Sequence, residues 1–132
     1  MMYNLFLDDE RKPSDVTWVE LPLVEWTVVK THEQFMETIN KRGMPLRVSF
    51  DHDLHPEHYH EYHAAKAAGR PFSYERLEVK TGYHCAAWMA YICVHTKQPL
   101  PEYFVHTMND VGASNIREIL DTASSIQSQP PG

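Results

Sequence analysis

The sequence has no uninterrupted apolar stretch that approaches the roughly 18 to 20 residues needed to span a bilayer. Its first segment, MMYNLFLDDE, reaches acidic residues too early for a secretory signal peptide. It has only two cysteines, Cys85 and Cys93, and their spacing along one predicted helix is ~12 Å, too far for a disulfide. These absences predict a cytoplasmic protein with two reduced thiols and no membrane contact.

The sequence also has little positive charge, since 12 Lys and Arg stand against 18 Asp and Glu and give a formal net charge of -6. Nonspecific binding of nucleic acid requires a basic surface, so no broad nucleic-acid surface is expected. A nucleotide or an RNA end in a local site remains compatible with this charge, because a bound divalent cation would reverse the local sign. The nine histidines are the one unusual feature of the composition.

Four short apolar segments alternate with helical patterns, which predicts an α/β domain with a short, mainly parallel sheet of four to five strands in a three-layer fold. The predicted strands cover 3–7, 26–29, 46–50 and 102–106. Helices are expected after Thr31, after Thr81 and after the turn at 109–112. One domain is predicted over residues 1–124, and residues 125–132 are predicted to form a disordered tail.

Residues 55–80 interrupt this alternation with a polar segment rich in histidine and tyrosine that contains Gly69 and Pro71. The pattern predicts an inserted loop with one or two helical turns. Its histidines could supply nitrogen ligands to zinc, but no fixed fourth ligand is evident. A solvated, histidine-rich loop is therefore the preferred interpretation.

Acidic residues follow the first and third predicted strands, in the segments LDDER and FDHD. Ligands of parallel sheets bind at the carboxyl ends of the strands, where these segments meet. Carboxylates this close repel one another unless one binds a proton or a cation, and Mg²⁺ or Mn²⁺ is the natural partner. The alternative is a pair of solvated turns that cap helices. The predicted metal ligands are Asp8, Asp9, Asp51 and Asp53.

Two histidines at the same edge, His52 and His106, could exchange protons near neutral pH. His52 is nearly as compatible with a purely structural, hydrogen-bonded role. The guanidinium of Arg11 could hold a phosphate or simply pair with a neighbouring carboxylate. Thr107 and the amides near Gly112 could bind a second phosphate oxygen.

The motifs LFLDDERKP, SFDHDL, TGYHCAAWM and VHTMNDVGASNI resemble the cyclic-phosphate-processing receiver-like family, a diverged branch of the response-regulator receiver (flavodoxin-like) fold found in bacteria and phages. The resemblance covers residues 3–54 and 81–120, with the histidine-rich insert outside it. It implies a metal-dependent phosphoesterase that acts on a cyclic phosphate, at an RNA end or on a nucleotide, in a bacterial or phage-infected cell.

The resemblance also implies roles for single residues. Asp8 and Asp9 look like the metal-binding acidic pair of a receiver, and Asp51 stands where a receiver has its phosphate-accepting aspartate. The segment from His106 resembles the family pattern His-Ser-x-Asn-x-x-Gly-x-x-Asn, with a threonine in place of the serine. The predicted substrate-binding residues are Arg11, Thr107, Asn109 and Asn115.

The leading hypothesis is thus a hydrolase in which Asp51, His52 and His106 are catalytic. The main alternative is a non-enzymatic, degenerate receiver that binds a nucleotide or a protein partner. A phosphorylated switch labelled at Asp51 ranks third, because no lysine-bearing fifth strand is evident after the last predicted helix.

Overall fold

Four short strands form the centre of the fold in the computed structural model, which describes residues 2–129. They are β1 (Asn4–Leu7), β2 (Thr27–Val29), β3 (Arg47–Phe50) and β4 (Glu102–Val105). All neighbouring strands are parallel, in the order β2-β1-β3-β4. This is the strand order of flavodoxin-like sheets, so the predicted receiver-like α/β fold is confirmed.

Four helices accompany the sheet, and two of them begin where the sequence predicts. The helices are α1 (His32–Arg42), α2 (Pro56–Ala68), α3 (Gly82–Thr96) and α4 (Asp110–Ser128). The side chains of Thr31 and Thr81 accept backbone amides at the starts of α1 and α3, as N-caps do. Within residues 2–129, no helix is both long enough and apolar enough to cross a membrane.

The main core lies on one face of the sheet, where Leu5, Leu7 and Phe50 are fully buried against α1, α3 and α4. The opposite face carries Phe6, which contacts the ring of Trp26. The connection from β1 to β2 contains a short 3-10 turn rather than a helix, and it supplies Trp26 to this face. This second face is buried at Phe6 but partly exposed at Val28, its partner on β2.

The prediction of only one or two helical turns in residues 55–80 is wrong, because α2 is a regular helix of 13 residues. Pro56 stands in its first turn, and Gly69 ends it at a φ of 64°, a left-handed conformation that glycine adopts without strain. The buried face of α2 consists of His58, Glu61 and Ala65. Two of these are polar, so the helix has no hydrophobic periodicity by which a sequence pattern could detect it.

The buried polar groups of α2 are hydrogen-bonded to the chain before and after it. His58 accepts the Leu54 amide at 2.9 Å and donates to the Val79 carbonyl at 2.7 Å. The Glu61 carboxylate accepts the Arg70 guanidinium at 2.6 and 2.9 Å and the Ser73 amide at 2.8 Å. These bonds fix the segment after α2 against the rest of the domain.

The last helix is longer than predicted, since α4 continues to Ser128 and not to 124. Gln127 holds its final turn by donating to the Gln98 carbonyl at 2.6 Å and accepting the Leu100 amide at 3.1 Å. These polar, exposed residues carry no apolar pattern, which is why the sequence predicts a tail here. Residues 130–132 of that predicted tail lie outside the described residues.

Removal of the Glu61 carboxylate is expected to lower the free energy of unfolding by ~1 to 3 kcal/mol, because Arg70 and the Ser73 amide lose their acceptor. Urea denaturation of Glu61→Ala measures this loss. Glu37→Ala, at an exposed position of α1, is the matched control and should change stability by less than about 0.5 kcal/mol. Equal stability of the two variants would show that these bonds do not hold the segment.

Candidate metal and phosphate site

Three polar side chains meet at the carboxyl edge of the sheet, each directly after a different strand. They are Asp8 after β1, Asp51 after β3 and His106 after β4, and all three are buried. One potential ligand atom from each lies within 4.8 Å of the other two, so this group could hold a metal ion. The strand order reverses between β1 and β3, and such a switch point is where doubly wound sheets bind ligands.

Asp8 is stabilised as a carboxylate by its neighbours. One of its oxygens accepts the amides of Glu10 and Arg11 at 2.9 and 2.8 Å, and the other accepts His106 Nε2 at 3.0 Å. Burial alone would raise the pKa of Asp8, but these hydrogen bonds hold it below its ordinary value. Asp8 therefore brings a full negative charge to the site.

Two further carboxyls at this edge, Asp51 and Asp9, are destabilised in their charged form. Burial and the charge of Asp8 raise the pKa of Asp51 to about 8, although the His52 amide and the Thr107 hydroxyl oppose the shift. Burial and the charges of Glu10 and Asp8 raise the pKa of Asp9 to about 6. Without a cation, the site therefore relieves its repulsion by keeping a proton on Asp51 at neutral pH.

His106 is fully buried and both of its ring nitrogens are hydrogen-bonded. Nδ1 lies 2.7 Å from the Ser49 hydroxyl, Nε2 contacts Asp8, and the ring stacks on Phe6 at a centroid distance of 4.5 Å. Burial lowers the pKa of His106, although the bond to Asp8 opposes this. In the neutral ring, Nε2 donates to the Asp8 carboxylate and Nδ1 accepts from Ser49. His106 would have to give up the Asp8 bond to ligate a metal.

His52 is also fully buried, and its ring is hydrogen-bonded to Asp53 and Tyr74 rather than to Asp8 or Asp51. Its Nδ1 lies 2.6 Å from Asp53 Oδ1, and its Nε2 lies 2.8 Å from the Tyr74 hydroxyl. Burial raises the pKa of Tyr74 to about 12, so the hydroxyl keeps its proton and can donate to Nε2. Asn109 donates a further bond to Asp53 at 3.0 Å, so that this carboxylate is held from two sides.

The same bonds set the charge of Asp53. Burial would raise its pKa, but the hydrogen bonds from His52 and Asn109 lower it below the ordinary value. Asp53 is thus an ionised carboxylate beside a protonated Asp51. His52 acts on the site through Asp53.

Two glycines let helices approach these residues closely. A Cβ at Gly82 would lie 1.7 Å from the Asp51 carbonyl oxygen, and one at Gly112 would lie 2.3 Å from Cγ of His52. The Asn109 side chain caps α4 by accepting the Gly112 amide at 2.8 Å. The start of α4 is therefore fitted directly against the His52 ring.

A cleft of about 490 Å³ opens above the carboxylates. Seven of the residues that the sequence predicts for the site line it: Asp8, Asp9, Arg11, Asp51, Asp53, Thr107 and Asn109. The residues that sequence reasoning missed come mainly from α2 and its start, and they are Glu10, His55, Pro56, Tyr59, His60, Tyr62 and Met108. The available signal is the spacing of His55, Tyr59 and Tyr62 by four and three residues, which is helical but lies in a polar segment that resembles a loop.

Three predicted site residues do not line the cleft. His52 and His106 lie beneath it with both ring nitrogens bonded, so direct proton transfer from either ring requires one of those bonds to break. Asn115 lies beside a second cavity and donates to the Tyr74 hydroxyl at 3.0 Å. It reaches the site only through Tyr74 and His52.

Arg11 provides a cation in the cleft. It is half-buried, with its guanidinium 3.7 Å from Asp8 and 5.2 Å from the ring centre of Trp18. The Trp18 indole in turn donates to the His106 carbonyl at 2.7 Å. These contacts place the guanidinium beside the carboxylates, and its single 3.7 Å contact with Asp8 is not a bidentate pair.

The model of the family described as the cyclic-phosphate processing receiver domain matches residues 3–122. The chain belongs to this family. No curated protein and no solved structure matches the chain. The matched range includes residues 55–80, the segment that separates the sequence motifs.

A methyl group at Gly112 is expected to destabilise the receiver domain by ~1 to 3 kcal/mol, because the His52 ring or α4 must move to admit it. At an open helical position, alanine is favoured over glycine by up to about 1 kcal/mol. A loss of stability in Gly112→Ala would therefore identify the steric conflict with His52, and a gain would contradict it. Denaturant unfolding of Gly112→Ala measures the effect. Ser114→Ala, at an exposed position of α4, is the control that should leave stability nearly unchanged.

Proposed function

We propose that this receiver domain is a metal-dependent phosphoesterase that opens a cyclic phosphate on a nucleotide or an RNA end. The observation that carries the proposal is the convergence of Asp8, Asp9 and Asp51 at the floor of a cleft that also presents Arg11. The family description supports the cyclic phosphate as substrate.

The donor set suits a hard divalent cation. Asp8, Asp9, Asp51 and Asp53 all offer carboxylate oxygens to one cleft, and oxygen ligands are those preferred by Mg²⁺ and Mn²⁺. Burial first, and then the charges of neighbouring carboxylates, raise the pKa values of Asp9 and Asp51, and a bound cation would relieve that repulsion. When bound, such an ion supplies charge neutralisation and polarisation of a phosphoryl oxygen.

Other residues of the cleft are suited to hold the phosphate. Arg11 can donate two parallel hydrogen bonds to phosphate oxygens. The Thr107 hydroxyl lies at the same wall and can contact a further oxygen. Asn109 uses its side chain to orient Asp53 and to cap α4, so its part is to position the site and not to bind substrate directly.

Hydrolysis of a ribose 2′,3′-cyclic phosphate adds water to phosphorus and breaks one P–O bond to the ribose, whose oxygen takes a proton. His55 and His60 are the imidazoles that line the cleft and can supply that proton. Nδ1 of His55 accepts the Glu57 amide at 3.2 Å, so His55 can donate a proton only as an imidazolium that has released this amide. His106 and His52 then serve to orient Asp8 and Asp53.

Purified protein is expected to convert a nucleoside 2′,3′-cyclic phosphate to a monophosphate in the presence of Mg²⁺ or Mn²⁺. Asp51→Asn should reduce kcat at least about 100-fold, because it removes a ligand carboxylate at the centre of the site. Separation of the products by chromatography measures the rate. Asp121→Asn, at an exposed position of α4, is the matched control and should retain full activity. Undiminished turnover in chelator or in Asp51→Asn would contradict the metal mechanism.

A second candidate is a degenerate receiver that binds a nucleotide or a protein partner without turnover. The observation that favours it is the complete burial of both predicted catalytic histidines. The two functions differ in outcome, since a nucleotide that raises the melting temperature without yielding product would support the binding module.

The raised pKa of Asp51 predicts an unusual pH dependence of stability without metal. Between the ordinary value of 3.8 and about 8, the folded state keeps a proton that the unfolded chain has lost, so this group lowers stability as pH rises through that window. Asp51→Asn should therefore be more stable than the wild type in chelator at pH 8, by at least about 1 kcal/mol.

The same variant should fail to gain stability from added Mg²⁺, whereas the wild type should gain it. Thermal and denaturant unfolding at pH 5 and pH 8, with chelator or with Mg²⁺, test both statements. A variant less stable than wild type in chelator at pH 8 would show that Asp51 is not under electrostatic strain.

A further inference from the structure

The cleft has one wall of a different chemical character from its acidic floor. Tyr59 of α2 and Met108 of the loop after β4 line it, and they are 57% and 62% exposed. Single exposed apolar side chains are ordinary on protein surfaces. Here two of them come from separate elements and face the same cleft as the proposed phosphate site, which makes them a candidate contact for an apolar part of the ligand.

The helical register of α2 explains why Tyr59 faces the cleft. His55, Tyr59 and Tyr62 follow one another at spacings of four and three residues, so they share one face of the helix. The buried face, which includes His58 and Glu61, seats the helix on the domain. The cleft-facing side chains are thus not needed for the core.

Two contacts tie this face to the start of α4, which follows Met108 in the chain. The Tyr62 hydroxyl donates to the Asp110 carboxylate, and Lys66 Nζ lies 3.1 Å from the same carboxylate. Asp110 is only two residues beyond Met108, so α2 and the loop that carries Met108 are tied together. The ring of Tyr59 also rests edge-on against His63 at 4.2 Å. Because these contacts already order the side chains, the side chains lose little conformational entropy when a ligand binds.

We propose that Tyr59 and Met108 form a stacking subsite for the base of a nucleoside phosphate whose phosphate lies over the carboxylates and Arg11. A flat, uncharged ring attached to a phosphate fits a cleft with an aromatic and thioether wall and a polar floor. Stacking on an aromatic side chain accepts any base, because every base has a π face. The inference rests on the proposed function for the position of the phosphate. It narrows the substrates to base-bearing cyclic phosphates and excludes base-free sugar phosphates.

Equilibrium binding tests the subsite without depending on turnover. Adenosine 3′-monophosphate and base-free methyl riboside 3-phosphate are titrated by calorimetry in Mg²⁺ against the wild type and Tyr59→Ala. The wild type should bind the nucleotide at least about tenfold more tightly than the base-free ligand. Tyr59→Ala should abolish this ratio and leave affinity for the base-free ligand unchanged.

Tyr91→Ala is the matched control. Tyr91 is also a helical tyrosine, 60% exposed and in ring contact with a histidine four residues later, but it lies on α3 and does not line the cleft. This variant should bind both ligands like the wild type. Tyr59→Trp should restore preference for the nucleotide, because an indole also stacks on a base.

The outcomes separate the subsite from the phosphoesterase activity. A base-dependent affinity that requires Tyr59, without turnover of any cyclic phosphate, would support the subsite and overturn the proposed function. Turnover of nucleoside and base-free cyclic phosphates with equal kcat/KM would overturn the subsite and leave the function standing. Equal loss of both affinities in Tyr59→Ala, or no measurable binding of either ligand by the wild type, would also overturn the subsite.

Discussion

The repulsion between Asp8 and Asp51 is the constraint on which the rest of this structure depends. Parallel pairing of β1 with β3 places both carboxyls at the same edge of the sheet, in a largely buried position where water screens them poorly. The two carboxyls reach different protonation states. Hydrogen bonds from His106 and two amides favour the charged form of Asp8, whereas Asp51 keeps a proton. A cation is the other way to satisfy the same geometry, so the electrostatics is compatible with the proposed metal site.

The two buried histidines, His52 and His106, hold the carboxylates of the site in position. Each ring carries one bond to a carboxylate of the site and one to a hydroxyl outside it, from Ser49 or from Tyr74. Within residues 2–129, no buried side-chain polar atom lacks a hydrogen-bond partner. A fully satisfied polar network of this kind specifies one geometry, because any displacement leaves a buried group without its partner. His52 and His106 thus contribute rigidity to the carboxylates whether or not either ring moves a proton.

The sequence predicts that Asp8 and Asp51 meet, but it does not predict the helix α2 that also lines the cleft. The reason for this difference is physical. Asp8 and Asp51 follow short, largely apolar segments that are typical of buried parallel strands, so their meeting at one edge follows from the predicted topology. The contact between His52 and Tyr74 joins residues that no periodicity relates, and so the burial of His52 could not be foreseen. The helix α2 was missed because its buried face holds His58 and Glu61, and polar residues at helical spacing resemble a solvated loop.

The polar contacts that hold α2 on the domain also explain why aromatic side chains line the cleft. A helix that buries leucines and tyrosines uses up its apolar side chains in the core. This helix is held by hydrogen bonds from His58 and Glu61, so Tyr59 and Tyr62 are left to face the carboxylates across the cleft. The polar buried face that makes α2 hard to detect in the sequence therefore also leaves aromatic side chains available to line an acidic site. An edge of carboxylates alone can hold an ion, but a second wall of different character is needed to distinguish one phosphate ester from another.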